Sequence, residues 1–362
     1  MKLHAPLFYS CLLFGLQGTL AAAYIGDSKA PLALPAQSLE LTYTYGAMNN
    51  TLDVFNVKES EFGSTKTQQT NGIGDYTANT LLFNYSPLDD VLLNLTLSSQ
   101  TIGYGQSSLD VFHYETYARY LFKPSSRVTI GADIGLRGNK GKKISMTSSS
   151  DIQYYLNSLG KNIQASETEK YLFLTNNDNG SYIGFPKSDH PELSIDNMSD
   201  QTFYGRSSIA MPFNIFVPSL YVEIGHTAVS ATIDTNMDDI AGDSFKTIVS
   251  TYFPISLDRS ENYASAGFNV RADTPFDTTL TANYEYKKLF RDNALSTFNT
   301  NHTVQMQLSY AITPELGCTI GGTYLYRQFN GTIPFLYNRY TQNSFDHPFG
   351  WVHLGISYTF TK

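Results

Sequence analysis

The sequence predicts an all-β protein, a closed antiparallel up-and-down barrel that crosses a membrane with strands. Three observations predict it. Charged residues make up only 15 % of the 362-residue chain, where an average soluble domain carries about 25 %. Aromatic residues reach 14 %, with 26 Tyr and 23 Phe against a single Trp. Segments of strictly alternating apolar and polar residues recur along the chain, paired by short turns. The aromatic content excludes disorder, and a mean hydropathy of −0.23 excludes a bundle of membrane helices. A wall with one face to lipid and one to water reconciles all three.

The chain opens on a candidate signal peptide, residues 1–23, with Lys2, the apolar stretch Leu7 to Leu20 and the small residues Ala21, Ala22 and Ala23. Residues 24–37 are expected to form a periplasmic N-terminal segment. Removal of the signal leaves one cysteine, Cys318, hence no internal disulfide. It also leaves 23 basic against 32 acidic residues, a net charge of −9. Such an acidic chain speaks against a nucleic-acid partner.

Five hairpins follow from period-two alternation. Thr80 to Tyr85 and Val91 to Ser98 meet at Ser86-Pro87-Leu88-Asp89. In the second of these, Val91, Leu93, Leu95 and Leu97 make one face and Leu92, Asn94, Thr96 and Ser98 the other. Phe112 to Phe122 turns at Lys123-Pro124-Ser125-Ser126 into a strand from Val128 to Leu136. Ser207 to Phe213 and Leu220 to Ile224 join through a stretch holding Pro212 and Pro218. Ala264 to Ala272 and Leu280 to Tyr286 join at Pro275, and Val304 to Ile312 and Leu316 to Tyr326 at Pro314. Proline lacks the ladder donor and pre-sets a turn dihedral, so it belongs at these tight ends.

A first strand, Ser38 to Gly46, and a last, Gly350 to Phe360, bring the expected count to twelve in the barrel, residues 38–362. The opposite hairpin ends are joined by longer polar segments, notably 47–76, 138–202, 227–262 and 328–348. Short turns on one side and long loops on the other is the pattern of bacterial outer-membrane barrels, with the turns periplasmic and the loops extracellular. Fourteen strands is the alternative count, should Glu169–Leu174 and Ser181–Phe185 also enter the membrane. A hairpin is expected around Asn176, Asp178, Asn179 and Gly180.

The lipid face carries almost no charge, Lys288 at an outer strand end being the exception. That is as it must be, since a charge facing mid-bilayer lipid costs about 2–4 kcal/mol in a barrel. Strand charges fall on the inner face: Glu40, Glu115, Arg119, Asp133, Arg137, Glu223, Arg271, Glu285, Lys287 and Arg327. All but Glu40 are the candidate pore-lining residues. Glu115 with Arg119, Asp133 with Arg137, and Glu285 with Lys287 are spaced to build ion pairs across neighbouring strands, either as a constriction or as a brace. Tyr43, Tyr45, Tyr114, Tyr284, Tyr286, Tyr324, Tyr326 and Trp351 are expected to form the outer aromatic girdle, and Tyr85, Phe122, Phe276 and Tyr310 the inner one. Gly131, Gly135, Gly267, Gly317, Gly321 and Gly355 on the inner face suggest a narrow aqueous path or, equally, wall curvature.

The last strand resembles the closing strand of outer-membrane barrel proteins. Val352, Leu354, Ile356, Tyr358 and Phe360 alternate up to a terminal aromatic, although Thr361 and Lys362 follow it. The resemblance implies recognition by the barrel-assembly machinery through the strand ending at Phe360. It also implies residence in the cell outer membrane among its lipid and lipopolysaccharide. Size and strand number resemble the twelve-stranded group, which includes narrow solute channels, a phospholipase and a lipid-A deacylase.

No cofactor motif is present. His302 with Thr303, and His353 with Ser357 on the same face, are the nearest approach to a catalytic pair. Asp234, Asn236 and Asp238 alternate like calcium ligands but lack the glycine and closing glutamate of a calcium loop. The expected function is an outer-membrane channel for small hydrophilic solutes. The alternatives are a barrel that displays its loops for surface binding or adhesion, and a lipid hydrolase.

Overall fold

A computed structural model of the chain describes residues 29–48, 73–104, 107–158, 160, 162–292, 295, 298–341 and 347–361. The signal peptide, most of the 47–76 loop and Lys362 lie outside the described residues.

Twelve long strands form the wall: β1 (Ser38–Met48), β2 (Ile73–Leu88), β3 (Val91–Tyr104), β4 (Ser107–Ser125), β5 (Val128–Gly141), β6 (Leu193–Ala210), β7 (Phe216–Thr235), β8 (Arg259–Asp273), β9 (Thr278–Phe290), β10 (Thr300–Ala311), β11 (Leu316–Leu325) and β12 (Phe349–Phe360). Each pairs antiparallel with its sequence neighbour, and β12 returns to β1 with Leu39 opposite Phe360 and Ala47 opposite Val352. Closure leaves no open edge, as a lipid-exposed sheet requires. Two further strands, Ile144–Met146 on β6 and Ile255–Ser256 on β7, have three and two residues and are too short to cross.

Twelve is therefore the spanning count. The segments that would have raised it to fourteen lie instead in a separate three-stranded sheet (Ile163–Glu167, Tyr171–Asn176, Tyr182–Pro186) within the 138–202 loop. Its second hairpin turns through Asn177–Gly180, with Gly180 at φ +71°, where the sequence placed it. Among the described residues three helices decorate the outer side: α1 (Ser149–Ser158), α2 (Met237–Ile240) and α3 (Asp243–Tyr252). Among the described residues no helix is long and apolar enough to cross a membrane.

The alternation holds strand after strand. Leu93, Leu95, Ile134, Val222, Ile224, Ile320, Leu354 and Ile356 are exposed outward. Their neighbours Leu92, Asn94, Asp133, Glu223, Thr319 and Ser357 are buried inward. Tyr43, Tyr45, Tyr286 and Tyr326 stand exposed at the outer ends, and Tyr85, Phe122, Phe276 and Tyr310 at the turn ends. Trp351 is a correction. Its neighbour Val352 faces lipid, so Trp351 points inward and stacks on Phe329 with ring centroids 6.0 Å apart.

Several strands overshoot the membrane. β6 has 18 residues and β7 has 20, whereas a tilted strand spans with about 9–11. The loops after β3, β5 and β7 are accordingly shorter than expected, because continued ladder pairing satisfies backbone groups that a loop would leave to water. In this outer collar the inward face turns apolar: Ile102, Leu109, Met198, Val229 and Ile233 pack with Phe329, Ile333, Phe335 and Phe349.

Candidate functional site

The lumen is built from cross-strand registers. Arg119 on β4 lies opposite Asp133 on β5, Asp133 opposite Arg206 on β6, and Arg206 opposite Glu223 on β7. Direct opposition brings side chains within reach, and on these four strands it produces a row of alternating sign. Arg119 grips Asp133 with two bonds of 2.8 and 2.9 Å. Arg206 bridges Asp133 Oδ2 at 3.0 Å and Glu223 Oε2 at 2.8 Å. Arg137 adds Glu223 Oε1 at 3.0 Å, and Tyr263 Oη donates to the same oxygen at 2.7 Å. Glu115 accepts from Tyr204 Oη and lies 3.9 Å from Arg206. All these groups are removed from bulk water. The bidentate fork geometry of arginine is what makes such burial tolerable.

Tyrosine fills the space around the row. Arg137 lies over the rings of Tyr204 and Tyr263 at 4.9 and 5.3 Å, and Arg206 over Tyr117 and Tyr204. Glycines make room for the rings: a Cβ on Gly135 would stand 2.5 Å from the Tyr204 ring, and one on Gly267 2.4 Å from that of Tyr221. These glycines thus admit aromatic filling rather than widening an aqueous path on this side.

The described part of the segment expected in the periplasm, from Lys29 on, lies inside the barrel instead. Lys29 pairs with Glu285 on β9, and the Ala30 and Leu32 carbonyls accept from Arg119 Nη1 at 2.6 and 3.3 Å. Leu34 is buried among Leu92, Tyr117, Tyr204, Tyr263 and Leu289, and Ala36 reaches the turn end, where its N–H bonds Asp89. The physical reason is mutual satisfaction. Arg119 has donors left over after Asp133, and an extended segment offers carbonyls.

The outer mouth is covered by residues 328–341. Asn139 donates to the Thr332 carbonyl at 3.0 Å, Arg259 to that of Pro334 at 2.8 Å, Asn301 to that of Asn330 at 2.8 Å, and Lys287 to that of Gly331 at 3.2 Å. Four strands thus hold one loop across the opening.

Between the two covers lies a cavity of about 300 Å³. Its wall comes from β1–β4 and β8–β12: Thr42, Thr44, Thr80, Thr96 and Ser98, with His113 and Glu115 of β4, on one side, Asn269, Thr281, Asn283, Gln305 and Gln307 on the other, with Trp351 and His353.

The candidate pore-lining residues sort as follows. Glu115, Arg119, Asp133, Arg137, Glu223, Glu285 and Lys287 all face the lumen, joined in the networks above. Lys287 lies 3.4 Å from Glu285. Arg271 sits inward at the periplasmic rim, bonded to Asp273 at 2.9 Å. Arg327 does not line the pore. β11 ends at Leu325, so the alternation no longer applies, and its guanidinium clamps Thr300 at 2.8 Å beside the rings of Tyr326 and Phe298. Sequence reasoning missed Arg206 and Lys29. Arg206 was legible, because a hairpin centred on Pro212 and Pro218 sets it opposite Glu223. Lys29 was not.

His302 faces outward, its Nδ1 sharing a hydrogen bond with Tyr284 Oη at 2.8 Å, so its partner is a girdle tyrosine rather than a serine. Asp234, Asn236 and Asp238 are not drawn together as ligands. Asp234 accepts from the Thr235 N–H, Asn236 bonds the backbone of Glu192 and His190, and Asp238 opens α2. Among the described residues no cluster of three or more potential metal ligands forms.

No family model and no curated protein matches the chain. Solved structures similar in architecture include the translocator domain of the autotransporter NalP from Neisseria meningitidis (6 % identity, 89 % of this chain and 87 % of that one, TM-score 0.47). The KdgM porin is similar at 10 % identity over 90 % and 99 % of the two chains, TM-score 0.38. The Pseudomonas putida toluene transporter TodX is similar at 10 % identity over 91 % and 92 %, TM-score 0.41. These are likenesses of barrel form alone. By its own strands and outward face, the chain is a twelve-stranded β-barrel of the outer-membrane type.

Proposed function

We propose that the protein is an outer-membrane channel for small hydrophilic solutes, exported by its N-terminal apolar stretch and closed in this conformation by residues 29–36 below and 328–341 above. The observation that carries this reading is the hydroxyl- and amide-walled cavity of about 300 Å³ between the two covers. A wall of this kind suits water and polar solutes, and a barrel built only for display has no need of it. Both covers are bonded largely through their backbone to a few side chains, the lower one with the Lys29–Glu285 pair besides, an arrangement that can be released piecemeal. The lipid and lipopolysaccharide of that membrane, and an assembly machinery reading the strand that ends at Phe360, are the partners this location calls for.

Planar-bilayer recording tests the channel. Conductance steps are expected from the intact protein, with larger or longer openings after Lys29→Ala or deletion of residues 24–36. Absence of steps from both the intact and the truncated protein would sink the reading.

One observation favours a second reading, surface binding. On the three-stranded sheet Tyr171, Phe173 and Tyr182 stand in a row, with ring centroids 5.9 and 6.2 Å apart and Tyr182 65 % exposed. Deleting residues 163–186 separates the two: a channel keeps its conductance, whereas a display protein loses its cell-surface binding.

A further inference from the structure

We infer that the luminal cavity is a binding site for an uncharged, polyhydroxylated solute of single-sugar size, held between the Trp351 ring and the amides of Asn269 and Asn283. The inference rests on the channel reading and names the class of solute.

Three features of the wall converge on it. The first is a set of unpartnered acceptors. Thr42 Oγ1, Gln100 Oε1, Asn269 Oδ1 and Asn283 Oδ1 are all buried without a hydrogen-bond partner. They come from both sides of the cavity, Thr42 and Gln100 from β1 and β3, Asn269 and Asn283 from β8 and β9. Buried polar atoms are ordinarily paired, so a ligand rich in hydroxyl donors, once these side chains turn slightly toward it, meets a demand that the protein itself leaves open.

The second is charge. Among the described residues lining the cavity only Lys29 and Glu115 are charged, apart from two histidines, and each already has its partner: Lys29 with Glu285, Glu115 with Tyr204. An anionic or cationic solute would meet no free counter-charge and would have to shed its hydration to enter, which is costly. A neutral solute incurs no such cost.

The third is shape. Trp351 lines the cavity and is held by the rings of Tyr76 and Phe329, with centroids at 5.1 and 6.0 Å. A rigid indole offers an apolar plate to the C–H face of a sugar ring while hydroxyls at the ring edge reach the amides. Apolar plates with a few placed polar groups are the usual make-up of small-ligand sites, and about 300 Å³ lies at the lower end of their size range.

Trp351 is the single tryptophan of the chain, so its fluorescence reports on the site directly. Purified full-length protein in detergent is titrated with glucose, galacturonate and lysine. Glucose is expected to give a saturable change, and galacturonate and lysine to need at least tenfold higher concentration. Asn269→Ala and Asn283→Ala are each expected to raise the half-saturating glucose concentration three- to tenfold with an unchanged unfolding midpoint. Should either fail to fold, Thr42→Val carries the same expectation. No saturation with glucose, or tighter saturation with galacturonate or lysine, overturns the inference. Swelling of liposomes holding the same preparation keeps the two readings apart. Saturation without swelling in glucose upholds the site and overturns the channel, and swelling without saturation does the reverse.

Discussion

The two sides of the barrel wall show the same alternation to lipid and opposite contents to the lumen. From β4 to β7 the inner face carries Arg119, Asp133, Arg137, Arg206 and Glu223, with Tyr117, Tyr204 and Tyr221 packed among them and Tyr263 joining from β8, so that this side is filled. From β8 round to β3 it carries mainly Thr, Ser, Asn and Gln, and this side is hollow. Lipid constrains only the outer face. The inner face is free to specialise, and here one side supplies rigidity while the other supplies a path.

The largest way to break this division is Arg206→Leu. It leaves Asp133 and Glu223 sharing what remains of a buried network, and removing one partner of a buried pair costs about 3–5 kcal/mol. Urea unfolding in detergent, read by tyrosine fluorescence or by gel mobility, should show a loss of that size. Gly267→Ala should follow at about 1–3 kcal/mol, since both the Tyr284 carbonyl of the neighbouring strand and the Tyr221 ring must give way to the new methyl. On the hollow side Thr44→Val should change stability by about 0.5 kcal/mol or less, yet slow solute passage in swelling assays. A loss comparable to that of Arg206→Leu would show that both sides are structural.

The smallest effect lies beyond the wall, where Lys143 hydrogen-bonds Glu192 at 2.8 Å on the outer collar. That bond holds the Glu192 carboxyl below its ordinary value of 4.5. Because the folded state has the lower value, the stabilisation is present above pH 4.5 and is lost as acidity titrates the carboxylate. Such an exposed pair contributes at most about 1 kcal/mol. Glu192→Gln should lower stability at pH 7 by no more than that, flatten the profile below pH 5, and leave stability unchanged in strong acid where the carboxylate is already protonated.

Strand number, turn positions and facing were legible because period-two alternation and proline turns are local. So were Arg119 with Asp133, Glu115 with Arg137 and Glu285 with Lys287, which follow once hairpin register is set. What escaped depends on contacts without a local signal. Nothing in Lys29 through Leu34 marks a segment that turns into the lumen, since its contacts lie on strands far along the chain, 52 residues away for Leu34 with Ser86 and 89 for Ala30 with Arg119. The tyrosine surplus was assigned to two belts, yet Tyr117, Tyr204, Tyr221 and Tyr263 face inward, which strand parity alone would have shown. Trp351 was misplaced for the same reason. The inward fold of residues 328–341 depends on Asn139, Arg259, Asn301 and Lys287 meeting around a mouth that exists only after closure.

The segment Lys29–Ala36 is bonded to β9 through Glu285 and to β4 through Arg119. In a ring of twelve strands, β4 and β9 stand nearly across from each other. A barrel wall resists stretching along its ladders, but it flattens easily into an oval, because bending a sheet costs little. Lys29, Ala30 and Leu32, tied to opposite walls, act as a strut against that flattening, so the hollow side holds its bore under lateral pressure from the bilayer.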